Sequence, residues 1–401
     1  MVDANDSNVS VDDIVKVGES VLSDCFSKHL TLKPLRVWDG IKGTVVRARV
    51  QPSLESVPGS VIVKRSKCKS ALEDWAASVF LNAQAGDFQL APNCFGGNAE
   101  SQTVVLEDLG DGTTTLDLLM GDDPESATQA LIEHMGLLGR LHAATRDRAD
   151  EYEKIRHAFG PRHQPKPLYH DPWSIARREQ VPVEELERVF QEYARSLQLL
   201  DCTPSHGIAE EIAAVTAAVE GDPGPFLSFC QGDVNTPGSC IRRQTNLWLV
   251  DFDSSGIRHA FTEALAGRLM WGCQLRIPER ILEQMDDAYR GAFSKAYPPI
   301  CDDRLYAKTM AEAAARWHIF HVIWRLPTAL EGDYQRGLSS LRQQFLGWLD
   351  TFAMLTESFD HMSILGNCAR RLLQVLHAEW SPKLPQVPYY RVFREAKVIT
   401  A

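Results

Sequence analysis

Two acidic residues lie close together in the segment from Phe229 to Asp253, and each one follows a short apolar run. Asp233 comes just after the first run, and Asp251 ends the second, Leu247–Val250, which is typical of a buried strand. A loop containing Gly and Pro joins them, so we expect the two carboxylates to emerge at neighbouring turns. Phosphoryl transfer requires such a pair, because one carboxylate orients a hydroxyl group while another holds the Mg²⁺ that neutralises the phosphates. The spacing alone also suits two solvated turn residues.

The composition is that of a globular protein. Of the 401 residues, 44% are hydrophobic, which is enough for two ordinary domains or one large bilobal one. The most apolar helical segment, residues 311–324, is interrupted by charged residues, so no membrane span is predicted. Acidic residues occupy the N-terminus, where a signal or transit peptide needs a basic region. We therefore expect a cytoplasmic protein without a membrane partner.

The formal net charge of −11 argues against a nucleic acid as the main partner. An acidic balance is compatible with a cationic small substrate, although it also serves solubility alone. The nine cysteines include no Cys-x-x-Cys pair, so we expect reduced thiols and no structural zinc site.

The N-terminal part of the chain is predicted to be β-rich after a leading helix, Val11–Leu30. Three predicted strands follow: Leu35–Trp38, Val45–Val50 and Val61–Lys64. Gly40 and Gly43 lie in the turn between the first two strands, where backbone amides can approach phosphates closely, although most such turns are simple hairpins. Lys64 ends the third strand, where a lysine either points inward to pair with phosphates or lies on an ordinary edge strand.

A helix is predicted next, over Ala71–Gln84, with Glu73 and Asp74 near its start; either acid could pair with Lys64. The strand Val104–Leu106 then ends in the connector Glu107–Gly110, where β-branched runs give way to helical periodicity. We predict a β-rich region over residues 1–106, a hinge over 107–110 and a helical region over 111–401.

Helical periodicity dominates the rest of the chain. The predicted helices are Ala127–Thr145, Glu184–Leu200, Ile208–Val219, Glu279–Phe293, Leu305–Trp324 and Ser340–Leu355. We interpret His142, in the first of them, as a packed helix histidine and not as a ligand. The Pro- and His-rich segment His157–Pro172 is predicted to be a loop.

In order and spacing, these segments resemble the aminoglycoside phosphotransferase and choline kinase-like family of small-molecule kinases, from about Gly40 to about Phe352. The motifs that carry the resemblance are Val61-Ile-Val-Lys64, Asp74-Trp-Ala-Ala, Leu106-Glu-Asp-Leu-Gly110, Leu138-Gly-Arg-Leu-His-Ala-Ala-Thr145, Gln231-Gly-Asp233 and Val250-Asp-Phe-Asp253. The resemblance implies an α+β, bilobal protein kinase-like fold with a small β-rich N-terminal lobe and a large, mostly helical C-terminal lobe.

The resemblance also implies residue roles. Asp233 matches the catalytic acid and Asp251 the magnesium-binding acid, which Asp253 would assist. Glu263 stands where the family usually has a supporting aspartate. The implied nucleotide-binding residues are Gly40, Gly43, Lys64 with its helix partner Asp74 or Glu73, and Glu107 and Leu109 of the hinge.

Two residues depart from the family pattern. Gln231 stands where histidine is common, and a glutamine can still orient a loop by hydrogen bonding. Gly238 replaces an asparagine that serves as a metal ligand, and only Asn235 or Ser239, through a shifted loop, could supply an oxygen instead.

The sequence therefore predicts an ATP-dependent phosphotransferase, with ATP or another nucleoside triphosphate and Mg²⁺, that phosphorylates a hydroxyl group of a small molecule. A catalytically weak pseudokinase that binds a nucleotide or a partner is the alternative, which Gly238 favours and the retained Lys64, Asp233 and Asp251 oppose. An α+β interaction protein without nucleotide binding would require the whole motif series to be coincidence.

Overall fold

The computed structural model describes residues 9–40, 42–67, 71–83, 90–160, 167–172, 174–232, 234, 237–244, 246–380 and 384–394. The N-terminal elements are α1 (Val11–Phe26), β1 (Thr31–Asp39), β2 (Gly43–Gln51), β3 (Ser60–Ser66), α2 (Ala71–Ala83), β4 (Cys94–Asn98) and β5 (Thr103–Glu107). The five strands form one antiparallel sheet in the order β1-β2-β3-β5-β4.

The alternation of β3 decides which side chains face the site. Val61 and Val63 are buried in an apolar cluster with Ile14 and Leu22 of α1, whereas the intervening Ile62 and Lys64 line a cleft. Successive side chains of a strand point to opposite faces, so burial of one set commits the other set to the cleft. The apolar pattern of β3 thereby fixes the direction in which the Lys64 side chain points.

The larger part of the chain is mostly helical. Its helices are α3 (Thr115–Leu119), α4 (Pro124–Thr145), α5 (Ala149–Ala158), α6 (Val183–Gln198), α7 (Ile208–Val215), α8 (Phe261–Ala264), α9 (Gly272–Gln274), α10 (Glu279–Phe293), α11 (Asp303–Glu331), α12 (Leu341–Ser358) and α13 (Ser363–Trp380). Its short strands are β6 (Thr113–Thr114), β7 (Leu227–Cys230), β8 (Cys240–Arg243), β9 (Asn246–Leu249), β10 (Gly256–His259), β11 (Gln335–Arg336) and β12 (Ser339–Ser340). π-helical turns extend α7 over Thr216–Gly221 and precede α9 over Ala266–Trp271.

A second, larger apolar cluster fills the helical part, and the buried face of α2 belongs to it. Phe80 of α2 packs against Tyr152 of α5 and Phe229 of β7, with ring centroids 5.4 Å apart in both pairs. Because α2 packs on the helical part and also contacts β3, β4 and β5, this helix links the sheet to the helical part.

The predicted fold class is confirmed: an antiparallel β region is followed by a larger helical one in a bilobal α+β arrangement. The division at residues 106 and 110 remains a prediction. The strand β4 and the helix α13 were not predicted from the sequence. Among the described residues, no helix combines the length and apolar character that a membrane crossing requires.

Candidate active site

A cleft of about 970 Å³ lies beside the face of the sheet that carries Lys64. It collects all the nucleotide and metal candidates that fall within the described residues: Gly40, Gly43, Lys64, Asp74, Glu107, Leu109, Asp251 and Asp253. The first and last of these residues are more than two hundred positions apart in sequence. The fold therefore brings residues of separate motifs into one cleft. Asp233, the catalytic candidate, lies outside the described residues.

Lys64 bridges two carboxylates at the centre of the cleft. Its Nζ is ion-paired with Asp74 of α2 and lies 2.5 Å from Oδ1 of Asp251, the second residue after β9. The side chains of Lys64 and Asp74 are only 19% and 2% exposed. Burial acts to lower the pKa of Lys64, but the charges of both carboxylates outweigh it and raise the pKa, so the ammonium stays protonated.

The structure distinguishes the two acids that the sequence left open as partners of Lys64. Asp74 pairs with it, whereas Oε2 of the adjacent Glu73 lies 2.8 Å from Nε of Arg156 in α5. Asp74 also accepts a hydrogen bond from the backbone N–H of Phe252 at 2.7 Å. Asp74 therefore couples β3, α2 and the loop that carries Asp251.

Asp251 adopts a left-handed backbone conformation, with φ of 66°. This conformation is uncommon for residues other than glycine, and aspartate and asparagine tolerate it best. Burial acts to raise the pKa of Asp251, but the charge and hydrogen bond of Lys64 hold it below its usual value. The carboxylate is thus kept ionised at a backbone position that directs it into the cleft, and outliers of this kind are concentrated at functional sites.

The loop that leads to Asp233 is held by Glu263 of α8. The backbone N–H groups of Gln231 and Gly232 donate to its carboxylate at 3.0 and 2.6 Å. Gly232 has φ of 98°, and a Cβ there would lie 2.0 Å from the carbonyl oxygen of Ser254, so only glycine fits. The residue before Asp233 is therefore packed directly against the loop that follows Asp251 and Asp253.

His142 completes this support from α4. Its two ring nitrogens lie 3.0 Å from Glu263 and 2.8 Å from the hydroxyl of Tyr289 in α10, and the ring is fully buried. His142, Cys230 and Glu263 bring potential ligand atoms within 4.8 Å of one another. Both histidine nitrogens are already hydrogen-bonded and burial raises the pKa of the Cys230 thiol, so the geometry favours the packed histidine that the sequence indicated over a metal ligand.

We expect Glu263→Gln to destabilise the protein, because an amide nitrogen cannot accept the hydrogen bond that one of the two backbone N–H groups donates to the carboxylate. A buried donor without an acceptor should lower the free energy of unfolding by about 2 kcal/mol. Urea denaturation measures this change, with the exposed Glu357→Gln as control. Equal stability of the two variants would contradict the role of Glu263 as a loop support.

Gln231 links the two acidic loops. Its Nε2 donates to the carbonyl of Val250, the residue before Asp251, at 2.6 Å, and to that of Ser239 at 3.2 Å. The glutamine thus ties the loop before Asp233 to the residue that precedes Asp251. Gly238 lies in a tight turn, Pro237–Ser239, and the buried Oγ of the adjacent Ser239 has no hydrogen-bond partner among the described residues. Asn235, the other candidate for the missing oxygen, lies outside the described residues.

The turn between β1 and β2 approaches the sheet closely. A Cβ at Gly43 would lie 2.2 Å from the carbonyl oxygen of Arg65, so this glycine allows β2 to pack there. The N–H of Gly40 donates to the carbonyl of Gly43 at 2.9 Å and closes the turn. Lys42, within the turn, lies 3.3 Å from Oδ2 of Asp253. Sequence reasoning missed Lys42, although its place between the two glycines was a usable signal.

The connector after β5 forms the other end of the cleft. Leu106, Leu109 and Ile241 contribute apolar surface there, and Glu107 accepts hydrogen bonds from the backbone and side chain of Asn93. Its neighbour Asp108 accepts a hydrogen bond from Nε of Arg47 in β2 at 2.6 Å. This end of the cleft therefore combines apolar side chains with the ion pair of Arg47 and Asp108.

Comparisons with known proteins give structural likeness alone. No family model matches the sequence, and no curated protein matches it significantly. The similar solved structures include a choline/ethanolamine kinase family protein from Mesorhizobium loti, with 13% identity over 85% of this chain and 92% of that chain at a TM-score of 0.44. A choline kinase from Cryptosporidium parvum Iowa II has 14% identity over 90% and 99% at 0.45.

An aminoglycoside phosphotransferase from Alicyclobacillus acidocaldarius has 13% identity over 85% of this chain and 93% of that chain, at a TM-score of 0.41. These neighbours belong to the families that the sequence motifs resemble. Because their TM-scores lie below 0.5, the residues of the cleft carry the functional argument, and these likenesses do not.

Proposed function

We propose that the chain is a small-molecule kinase, which transfers the terminal phosphoryl group of a nucleoside triphosphate, ATP in our proposal, to a hydroxyl group. The observation that carries the proposal is Lys64, which bridges Asp74 of α2 and Asp251 after β9 inside a cleft. A buried lysine held between two carboxylates is poised to bind phosphates once a cation takes over one of these acids.

Asp251 and Asp253 are the residues that would hold Mg²⁺. Both carboxylates line the cleft, and carboxylate oxygens are the ligands this hard cation prefers. Each is balanced by a lysine, Asp251 by Lys64 and Asp253 by Lys42, so both are set up to bind positive charge. When bound, the ion supplies neutralisation of the charge on the phosphates.

Asp233 would accept the proton of the acceptor hydroxyl. The hydroxyl oxygen would bond to the terminal phosphorus as the bond from that phosphorus to the leaving nucleoside diphosphate breaks. Support for this role comes from Gly232, which is fixed by Glu263 and packed against Ser254. The base of the nucleotide would lie between Leu106, Leu109 and the residues facing them from β2 and β8.

The residues of the helical part do not indicate the charge of the acceptor. Three acidic residues of α10 and α11 are balanced within the protein: Glu279 and Asp286 pair with Arg268, and Asp303 with Arg290. Asp302 accepts a hydrogen bond from the N–H of Leu305 at the start of α11. These residues therefore give no support to a cationic acceptor, and a test of function has to include neutral ones.

A coupled assay of ADP release tests the proposal, with aminoalcohols, aminoglycosides and neutral sugars as acceptors. We expect release that depends on Mg²⁺ and on one acceptor class. Nucleotide binding without turnover on any acceptor would instead support the pseudokinase alternative, and absence of binding would contradict both.

We expect Lys64→Ala to weaken ATP binding by at least about tenfold, since a charge-assisted hydrogen bond to the phosphates is lost. Calorimetry measures the affinity, and a thermal melt checks that the protein remains folded. Lys33→Ala, at an exposed position of β1, is the control for loss of one positive charge. ATP binding by Lys64→Ala as tight as by the parent would refute the assignment.

A further inference from the structure

Lys42 is another cation beside the acidic residues of the cleft. It lies in the turn between β1 and β2, and its Nζ contacts Oδ2 of Asp253 at 3.3 Å. The side chain of Lys42 is 59% exposed, whereas that of Asp253 is only 5% exposed. A flexible, largely solvated side chain thus balances a carboxylate that is almost fully buried.

Each of the three carboxylates near this contact has a lysine partner. Asp74 and Asp251 share Lys64, while Asp253 has Lys42. Oδ1 of Asp253 also accepts a hydrogen bond from the hydroxyl of Ser254 at 2.9 Å. A buried carboxylate strongly favours a neighbouring cation, so Asp253 will exchange Lys42 only for another positive charge.

We infer that Lys42 is a second phosphate-binding residue, which pairs with Asp253 before nucleotide binds and transfers to the polyphosphate when a divalent cation takes Asp253. This inference rests on the proposed function, because it requires a metal-bound nucleotide in the same cleft. The exchange would keep Asp251 and Asp253 balanced, because Lys64 and Lys42 would turn from these carboxylates to phosphate oxygens only when the carboxylates hold the cation.

The neighbouring Lys67 does not share this arrangement. Its Nζ lies 2.9 Å from Oδ1 of Asp39 and 3.1 Å from the carbonyl oxygen of Gly40, and Lys67 is not among the residues that line the cleft. Lys42 instead lies between Gly40 and Gly43, and both glycines line the cleft. Its four-carbon stem is flexible, and its side chain is largely exposed.

The first test measures cation binding without nucleotide, with Mn²⁺ as the probe and electron paramagnetic resonance as the readout. Lys42→Ala removes a positive charge from Asp253, so Mn²⁺ affinity should rise roughly threefold, as the loss of one exposed ion pair implies. Lys33→Ala, remote on β1, should leave the affinity unchanged. Weaker or unaltered Mn²⁺ binding by Lys42→Ala overturns the exchange.

The second test measures nucleotide binding with Mg²⁺ by calorimetry. Lys42→Ala should weaken ATP binding by about tenfold and leave adenosine binding unchanged, whereas Lys42→Arg should retain most of the ATP affinity. An equal loss for adenosine and ATP would indicate a disturbed turn and overturn the phosphate contact.

The two proposals fail in different ways. If the parent protein binds no ATP in the presence of Mg²⁺, the proposed function fails and this inference fails with it. If the parent binds ATP and Lys42→Ala binds it equally well, only the role of Lys42 is refuted, and the kinase proposal stands.

Discussion

Replacing Asp251 with alanine is expected to abolish magnesium-dependent binding of ATP. Asp251 lines the cleft, is kept ionised by Lys64 and is 43% exposed, so a metal ion can reach it. The resemblance implies that Gly238 stands where a metal-binding asparagine is common, so we expect the ion to depend more heavily on this carboxylate. Calorimetric titration with ATP, with and without Mg²⁺, should show that the metal no longer increases the affinity.

Two further variants separate charge from backbone conformation. Asp251 has φ of 66°, which alanine tolerates poorly and asparagine tolerates well, so Asp251→Asn removes the charge with little added strain. Asp201→Ala, at an exposed position with φ of 53°, reports the cost of alanine in this conformation. Retention of magnesium-dependent binding by Asp251→Asn would refute the assignment of Asp251 as the essential metal ligand.

Asp233→Asn is expected to slow phosphoryl transfer by about 10² to 10⁴-fold, the usual range for general acid–base catalysis. The binding of ATP with Mg²⁺ should remain close to that of the parent, because this residue acts on the acceptor hydroxyl and not on the nucleotide. Turnover is measured by coupled ADP release on the acceptor found for the parent, and binding by calorimetry.

Asp233→Asn should preserve magnesium-dependent ATP binding, which Asp251→Asn should lose. An asparagine at position 233 keeps the size of the side chain and leaves the hydrogen bonds from Gln231 and Gly232 to Glu263 in place. Parental turnover in this variant would show that Asp233 does not carry the chemistry. A simultaneous loss of nucleotide affinity would show that it is a binding residue instead.

The parts of the fold that follow from local pattern were predictable. The alternation Val61-Ile-Val-Lys64 indicated the strand β3, although it left open whether Lys64 points inward or lies on an ordinary edge strand. The helical periodicity of Glu279–Phe293 matches α10. The strand β4 was missed because Cys94-Phe-Gly-Gly-Asn98 contains two glycines, which disfavour strands, and it exists through pairing with β5.

The partners within the site were not predictable, since they depend on long-range packing. Glu73 and Asp74 are adjacent in the first turn of α2, and only the position of Arg156 in α5, to which Glu73 is bound, shows which acid is left for Lys64. The contact between Lys42 and Asp253 likewise joins positions 211 apart in sequence. Local periodicity in the sequence does not predict contacts between residues so far apart.

The most direct test of the kinase proposal is a crystal structure with Mg²⁺ and a non-hydrolysable ATP analogue. We expect the triphosphate between Lys64 and the Gly40–Gly43 turn, the metal on Asp251, and the base against Leu109. Nucleotide bound elsewhere, or a cleft without nucleotide at a saturating concentration of the analogue, would contradict it.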